Sequence, residues 1–182
     1  MTSFSARLKP VFLIVVAWLV FVTGIASGQE PAERERALAA ARELVSESRY
    51  CALITQSGRG EVHARMMDPV TPEQDWTIWL ATNPTSRKVT EIRRNPRVTL
   101  YYSDPASQGY VTIYGRAELV NDAQEKTRHW KDEWSAFYPN KIKDSLLIKF
   151  EPETMEVVIV NKNVVGTSSR WTPPKVRFKR KP

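Results

Sequence analysis

One junction in the chain restricts its fold more than the overall composition does. Trp76-Thr77-Ile78-Trp79-Leu80 is dense in aromatic and β-branched residues, the make-up of a buried strand. After Ala81-Thr82-Asn83-Pro84-Thr85-Ser86-Arg87-Lys88, the residues Val89 and Ile92 among Lys88, Glu91, Arg93 and Arg94 give one or two helical turns with a single apolar stripe. Asn95-Pro96 stops that helix, because the proline ring disfavours helical geometry at the residue before it. Across the junction Thr82 and Ser86 offer hydroxyls, Arg87 and Lys88 offer permanent positive charge, and a helix start offers free backbone N–H groups. A phosphate dianion needs those three things. The same residues also suit an ordinary turn and N-cap, with Arg87 and Glu91 as a solvated i,i+4 pair, and composition alone favours that reading.

The remaining segments supply the walls around this junction. Residues 29–48 hold an amphipathic helix, clearest from Glu33 to Glu47, with Ala37, Leu38, Ala41, Leu44 and Val45 on one face. Tyr50 to Thr55, the glycine turn Ser57-Gly58-Arg59-Gly60, and Glu61 to Met67 predict a hairpin. Side chains alternate along a strand, so His63, Arg65 and Met67 share one face and Val62, Ala64 and Met66 the other. Arg97 to Ser103 predicts the next strand, and Tyr110 to Val120 the longest, with Gly115 marking a bulge or close approach. Ala123 to Trp134 reads as a helix whose Trp130, Trp134 and Phe137 form a core or subunit stripe. Leu146 to Phe150 and Met155 to Val160 then predict a hairpin about Glu151-Pro152-Glu153. Beyond Asn161 the chain has no clear period, and residues 162–182 form a basic tail in which Trp171 stands alone. Six or seven short strands with a few helices predict a mainly β (α+β) fold, an antiparallel barrel with flanking helices.

The N-terminal stretch is of another kind. Arg7 and Lys9 precede an almost wholly apolar run from Val11 to Ile25, and Ala26-Ser27-Gly28 offers small residues for cleavage. Residues 1–28 therefore read as a secretory signal peptide, and the expected localisation is exported; left uncleaved, the same run would be a membrane anchor and the chain's only membrane contact. About 150 residues remain, one domain by length. The single cysteine, Cys51, has no internal partner and falls in an apolar strand, where it reads as core. The formal charge of +7 includes Arg7 and Lys9, so the mature chain stays modestly basic, with Lys175, Arg177, Lys179, Arg180 and Lys181 crowding its end.

Several motifs together resemble the flavin-binding split-barrel family that includes pyridoxamine 5′-phosphate oxidase and the general stress flavoproteins. They are a strand ending in Thr82-Asn83, Ser86-Arg87-Lys88 opening a helix, Asn95-Pro96-Arg97-Val98 leading to the next strand, Arg65-Met66-Met67 at the end of the second strand, and Tyr114-Gly115-Arg116-Ala117-Glu118. The resemblance covers residues 49–161 and implies a split barrel that binds FMN as a homodimer, with the flavin between subunits. It implies that Arg65, Ser86, Arg87 and Lys88 neutralise the phosphate while Thr82 donates a hydroxyl bond. Ala81 and the backbone of Met66 and Met67 would line the flavin, and Trp171 would reach the flavin of the partner subunit.

The chain departs from pyridoxamine 5′-phosphate oxidase where that enzyme handles its substrate. Asp68-Pro69-Val70 stands where a lysine is expected, Tyr110 where a glutamine is expected, and Arg177-Phe178-Lys179 lacks the histidine of an Arg-x-His motif. The match is closer to the general stress group. Neither His63 nor His129 has a Cys or His at metal-ligand spacing, and no Gly-x-Ser-x-Gly elbow or Walker loop is present. A flavin carries its own reactive ring, so an acid–base constellation is not required. The expectation is an FMN-dependent oxidoreductase acting on a small redox substrate, with no nucleic-acid partner. The alternatives are a non-enzymatic module that binds or stores flavin or haem, and an unliganded barrel whose basic tail contacts a polyanion or membrane.

Overall fold

The computed structural model describes residues 26–166, 169 and 171–179, and the backbone alone over residues 26–30. Two units divide it, Met1–Glu33 and Arg34–Pro182. Of the first, the described part is helical backbone at the start of α1 (Ala26–Glu47); residues 1–25, most of the expected leader, lie outside the described residues. In the second unit α1 buries Ala37, Ala40, Ala41, Leu44 and Val45, as its amphipathic pattern predicts. Among the described residues no helix is long and apolar enough to cross a membrane.

Among the described residues seven strands follow: β1 (Cys51–Gln56), β2 (Val62–Met67), β3 (Ile78–Thr82), β4 (Arg97–Asp104), β5 (Gly109–Val120), β6 (Leu146–Ile159) and β7 (Lys175–Arg177). The helix α2 (Arg87–Arg94) joins β3 to β4, while α3 (Ala123–Arg128) and α4 (Lys141–Asp144) lie between β5 and β6. The sheet order is β2-β1-β4-β5-β6-β3, with β7 also on β6, and all pairings are antiparallel. An isolated bridge between Pro69 and Leu80 ties the chain after β2 to the opposite edge strand, so the curled sheet meets itself there. This is the expected antiparallel split barrel with flanking helices.

The long β5–β6 ribbon sets the curl. Val111, Ile113, Gly115 and Ala117 of β5 point inward and are buried, while Tyr114, Arg116 and Glu118 point out. Tyr114 pairs with Thr154 and Gly115 with Pro152, so Glu153 is an extra residue on β6. Across that bulge the inward set changes phase, from Ile148 and Phe150 to Met155, Val157 and Ile159. The hairpin expected about Glu151-Pro152-Glu153 is therefore absent, and one strand of 14 residues runs through. A phase slip with a proline at its centre makes one bulged strand read as two. Gly115 has no substitute in this geometry, since a Cβ there would lie 2.2 Å from the Glu151 carbonyl oxygen.

Three other expectations are corrected. The strand placed at Trp76–Leu80 begins at Ile78, because Trp76 takes a left-handed φ of 68° in the turn that closes onto the Glu73 carbonyl. The helix placed at Ala123–Trp134 ends at Arg128, and a separate 3-10 turn covers Asp132–Ala136. Packing breaks it: Trp130 stands edge-on to Trp134 at 5.5 Å, burying Trp134, while Phe137 is exposed. The tail also holds a strand no period announced, β7, whose Val176 is buried on β6. Cys51 is core as expected, and burial pushes its thiol up to about 12.

Candidate functional site

The β1–β2 hairpin delivers three polar side chains to one place. Cross-strand pairing sets Thr55 opposite His63 and Leu53 opposite Arg65, so the inward rows of the hairpin carry Thr55, His63 and Arg65 side by side. The helix α2 supplies their counterpart. Val89 and Ile92 anchor it to the core, and that rotation buries Glu91 between them.

Glu91 is the centre of the resulting network. Its carboxylate accepts from Thr55 Oγ1 at 2.5 Å and Arg65 Nη2 at 3.0 Å, lies 2.7 Å from His63 Nδ1, and has Arg87 Nε at 3.4 Å. Only 5% of its side chain is exposed. Burial alone would push the carboxyl up, but the Thr55 and His63 hydrogen bonds and the Arg65 charge outweigh it and hold the group below the usual carboxylate range.

Arg65 is fixed by more than this ion pair. Its Nη1 donates to the Leu53 carbonyl at 3.2 Å and to Thr55 Oγ1 at 2.5 Å. With Nη2 also donating to Glu91, three of the five guanidinium N–H groups are engaged. Among the described residues the Nε–H and one N–H on Nη2 remain, which together make the side-on edge that grips two oxygens of a carboxylate or phosphate.

The β3–α2 junction closes the other side. Asn83 Oδ1 accepts from the Thr85 N–H at 2.8 Å, a local turn that presents Ser86 at the head of α2. Ser86 stands at the N-cap position yet makes no capping bond with its side chain; its hydroxyl is 3.1 Å from that of buried Thr82. Lys88 Nζ donates to Thr82 Oγ1 at 3.0 Å. Burial first, then the nearby Arg65 charge, push the Lys88 ammonium below its usual range, and Glu91 opposes them. A second negative group in this corner would relieve that crowding.

The structure thus joins Arg65, Thr82, Ser86 and Lys88 into one corner. Arg87 borders it on the exposed side, held to Glu91 and otherwise in solvent. Met67 turns inward onto the core, while Met66 on the opposite face is 72% exposed. Ala81 is buried with Trp79, Trp134 and Leu147. Trp171 is 80% exposed and, among the described residues, makes no hydrogen bond to the corner. Thr55, His63 and Glu91 were not foreseen as site residues. The signal for Glu91 was its place three residues after Lys88 and beside Ile92, which puts a carboxylate on the buried face of α2. Asp68, which stands where the expected lysine is missing, is paired instead with Lys131.

Outside the barrel, the same hairpin borders a groove of about 660 Å³ between Tyr50, Met66 and Tyr101, with Arg65 also among its walls. Met66, Ala52 and Tyr101 are register partners in a row across β2, β1 and β4, and Val62 and Tyr114 continue the exposed apolar face.

Residues 36–170 match the family described as Pyridoxamine 5'-phosphate oxidase like. The chain belongs to the pyridoxamine 5'-phosphate oxidase-like family. Within that family it is similar to general stress protein 26 of Bacillus subtilis, 27% identical over 104 residues that cover 55% of this chain and 73% of the relative. The fold is also that of a protein related to general stress protein 26 from Clostridium acetobutylicum, at TM-score 0.65 and 22% identity over 80% of this chain and 95% of that one. Two solved structures named for other ligands have the fold as well. One is an F420 reductase, at TM-score 0.52 and 19% identity over 63% of this chain and 94% of that one. The other is a heme binding protein from Mycobacterium smegmatis, at TM-score 0.52 and 18% identity over 70% of this chain and 53% of that one.

Proposed function

We propose that this member of the pyridoxamine 5'-phosphate oxidase-like family is an exported, homodimeric FMN-binding protein that works as an oxidoreductase on a small molecule. The observation that carries the reading is the corner where Arg65, Lys88, Thr82 and Ser86 converge. Among the described residues three cations, Arg65, Arg87 and Lys88, face one carboxylate there, and Arg65 keeps a bidentate edge free. The donor set fits a phosphate monoester, with Arg65 and Lys88 holding its charge and the two hydroxyls completing its hydrogen bonds. A bound flavin supplies a ring that accepts and passes on electrons. The chain's own part is to anchor the phosphate and leave the ring over the strand end at Met66 and Met67.

The dimer follows from the outer face. A second copy of this chain laid on the row of Met66, Ala52 and Tyr101 would cover the exposed apolar surface and close the open groove, placing the flavin between subunits. Export rests on Arg7 and Lys9 before the apolar run to Ile25.

The test is to purify the protein, record its visible spectrum, identify any released chromophore by mass, and titrate the stripped protein with FMN, riboflavin and haem. Tight FMN binding with a much weaker response to riboflavin, together with turnover of NAD(P)H and an acceptor, is expected. FMN binding without turnover moves the reading to a storage or delivery module, and haem binding in preference to FMN overturns the phosphate cradle.

A further inference from the structure

Glu91 is a strange residue to find in an anion site. A buried carboxylate beside the ligand's phosphate repels it, and two of the four groups that Glu91 touches, Arg65 and Arg87, are side chains a phosphate would itself use or approach. Two physical roles have opposite consequences. As a mere counter-charge, Glu91 keeps the empty corner from accumulating positive charge and weakens anion binding. As a positioner, it fixes the Arg65 guanidinium by one edge so that the other faces the ligand.

The geometry favours the second role. Thr55 Oγ1 lies within hydrogen-bond distance of both Arg65 Nη1 and Glu91 Oε2, and Arg65 Nη2 also reaches Oε2, so hydroxyl, guanidinium and carboxylate form a closed triangle. With the Leu53 carbonyl on Nη1, every hydrogen bond of Arg65 among the described residues falls on the Nη1 and Nη2 side of the guanidinium. A counter-charge needs only proximity, whereas this arrangement sets the plane of the guanidinium. Arg65 alone has a long flexible stem, and ordering it at the moment of binding would cost conformational entropy that the triangle has already met.

We propose that Glu91 is a positioning residue that pre-orients Arg65, and that it thereby sets the protein's discrimination between a phosphorylated flavin and its unphosphorylated form. This rests on the FMN-binding reading above. The consequence is counter-intuitive, since deleting a negative charge from an anion site loosens the anion.

The experiment measures dissociation constants for FMN, riboflavin and inorganic phosphate on purified wild-type, Glu91→Ala and Glu91→Gln proteins, with circular dichroism to check folding. Glu91→Ala is expected to weaken FMN by about tenfold or more while riboflavin moves by less than about twofold. Glu91→Gln keeps an oxygen that accepts from Arg65 and Thr55, so it should recover most of the FMN preference, to within about threefold of wild type. If both variants tighten FMN, or the preference for FMN over riboflavin is unchanged in folded Glu91→Ala, the positioning role is wrong while the cradle stands. If wild type binds neither FMN nor inorganic phosphate, the cradle reading falls and this proposal with it. Should Glu91→Ala not fold, Glu91→Asp decides, because the shorter carboxylate is withdrawn from Arg65 with its charge kept. A lowered FMN preference supports the proposal there, and an unchanged one overturns it.

Discussion

The β5–β6 ribbon and the β2–α2 corner are built by opposite rules, though both lie on the same sheet. The ribbon is apolar inside, with Val111, Ile113, Phe150, Met155 and Val157 buried, and its one irregularity is absorbed by a glycine. In the corner the hairpin is turned about: polar His63 and charged Arg65 face inward while apolar Val62 and Met66 face solvent. Such an inversion costs stability, since it buries ions and exposes methionine and valine. A sheet that places one region for packing and the other against packing separates what holds it together from what it does. Substitutions should therefore sort into those that unfold the chain and those that leave it folded but unable to grip a ligand.

The largest effect is expected in the ribbon. Gly115→Val puts a branched side chain where even a Cβ meets the Glu151 carbonyl at 2.2 Å and the Phe150 ring at 2.7 Å. Backbone cannot yield there as a flexible side chain would, so the loss should exceed about 3 kcal/mol. Urea denaturation measures it. A Gly115→Val protein as stable as wild type would mean the bulge is not fixed, and the ribbon would lose its place as the rigid partner in the comparison.

The next effect belongs to the corner and should leave stability nearly untouched. Lys88→Ala removes a charge-assisted donor from a half-buried site, and FMN binding should weaken by about 10- to 100-fold with little change for riboflavin. Arg87→Ala should cost only about threefold, because its exposed side chain meets a single carboxylate oxygen and solvent screens it. Titration calorimetry on both variants and on the double variant reads the split. Equal losses from the two single variants would move the phosphate outward, to the solvent side of α2.

How much of this was legible in the sequence follows the same division. The barrel was readable because alternating strands bounded by turns have few other solutions, and α2 because Asn95-Pro96 stops it. The ribbon was misread at Pro152, where a bulge changed the phase of β6, and that change depends on the facing residue Gly115, thirty-seven positions earlier in the chain. Alternation told that His63 and Arg65 share a face, but not which face is inside. That choice is made by Glu91 on α2, whose pairing with the hairpin bridges more than twenty residues. An i,i+4 pattern made the Arg87–Glu91 pair look like a surface feature. The pair exists, but one member is exposed and the other buried, a difference set by how the helix rolls on the sheet and not by spacing.

The smallest expected effect sharpens the comparison through pH. Glu91 faces Thr55, His63 and Arg65 from the hairpin and Arg87 and Lys88 from its own helix, and its carboxyl titrates below the ordinary glutamate value of 4.5 when folded. A depressed carboxyl contributes stability that is fully present above the unfolded value and is lost as pH falls through the folded one. Wild type should therefore lose stability steadily as the solution is acidified below about pH 4.5, whereas Glu91→Gln, with no proton to take up, should show a flatter profile over the same range. Asp104 also titrates low, through its hydrogen bonds to Ser107 and Ala106, but it is the same in both proteins and cancels in the difference. Urea midpoints from neutral pH down to about pH 3 measure the two slopes. Parallel profiles would mean that the buried carboxylate is not ion-paired in solution, and the corner would then be held by packing, as the ribbon is.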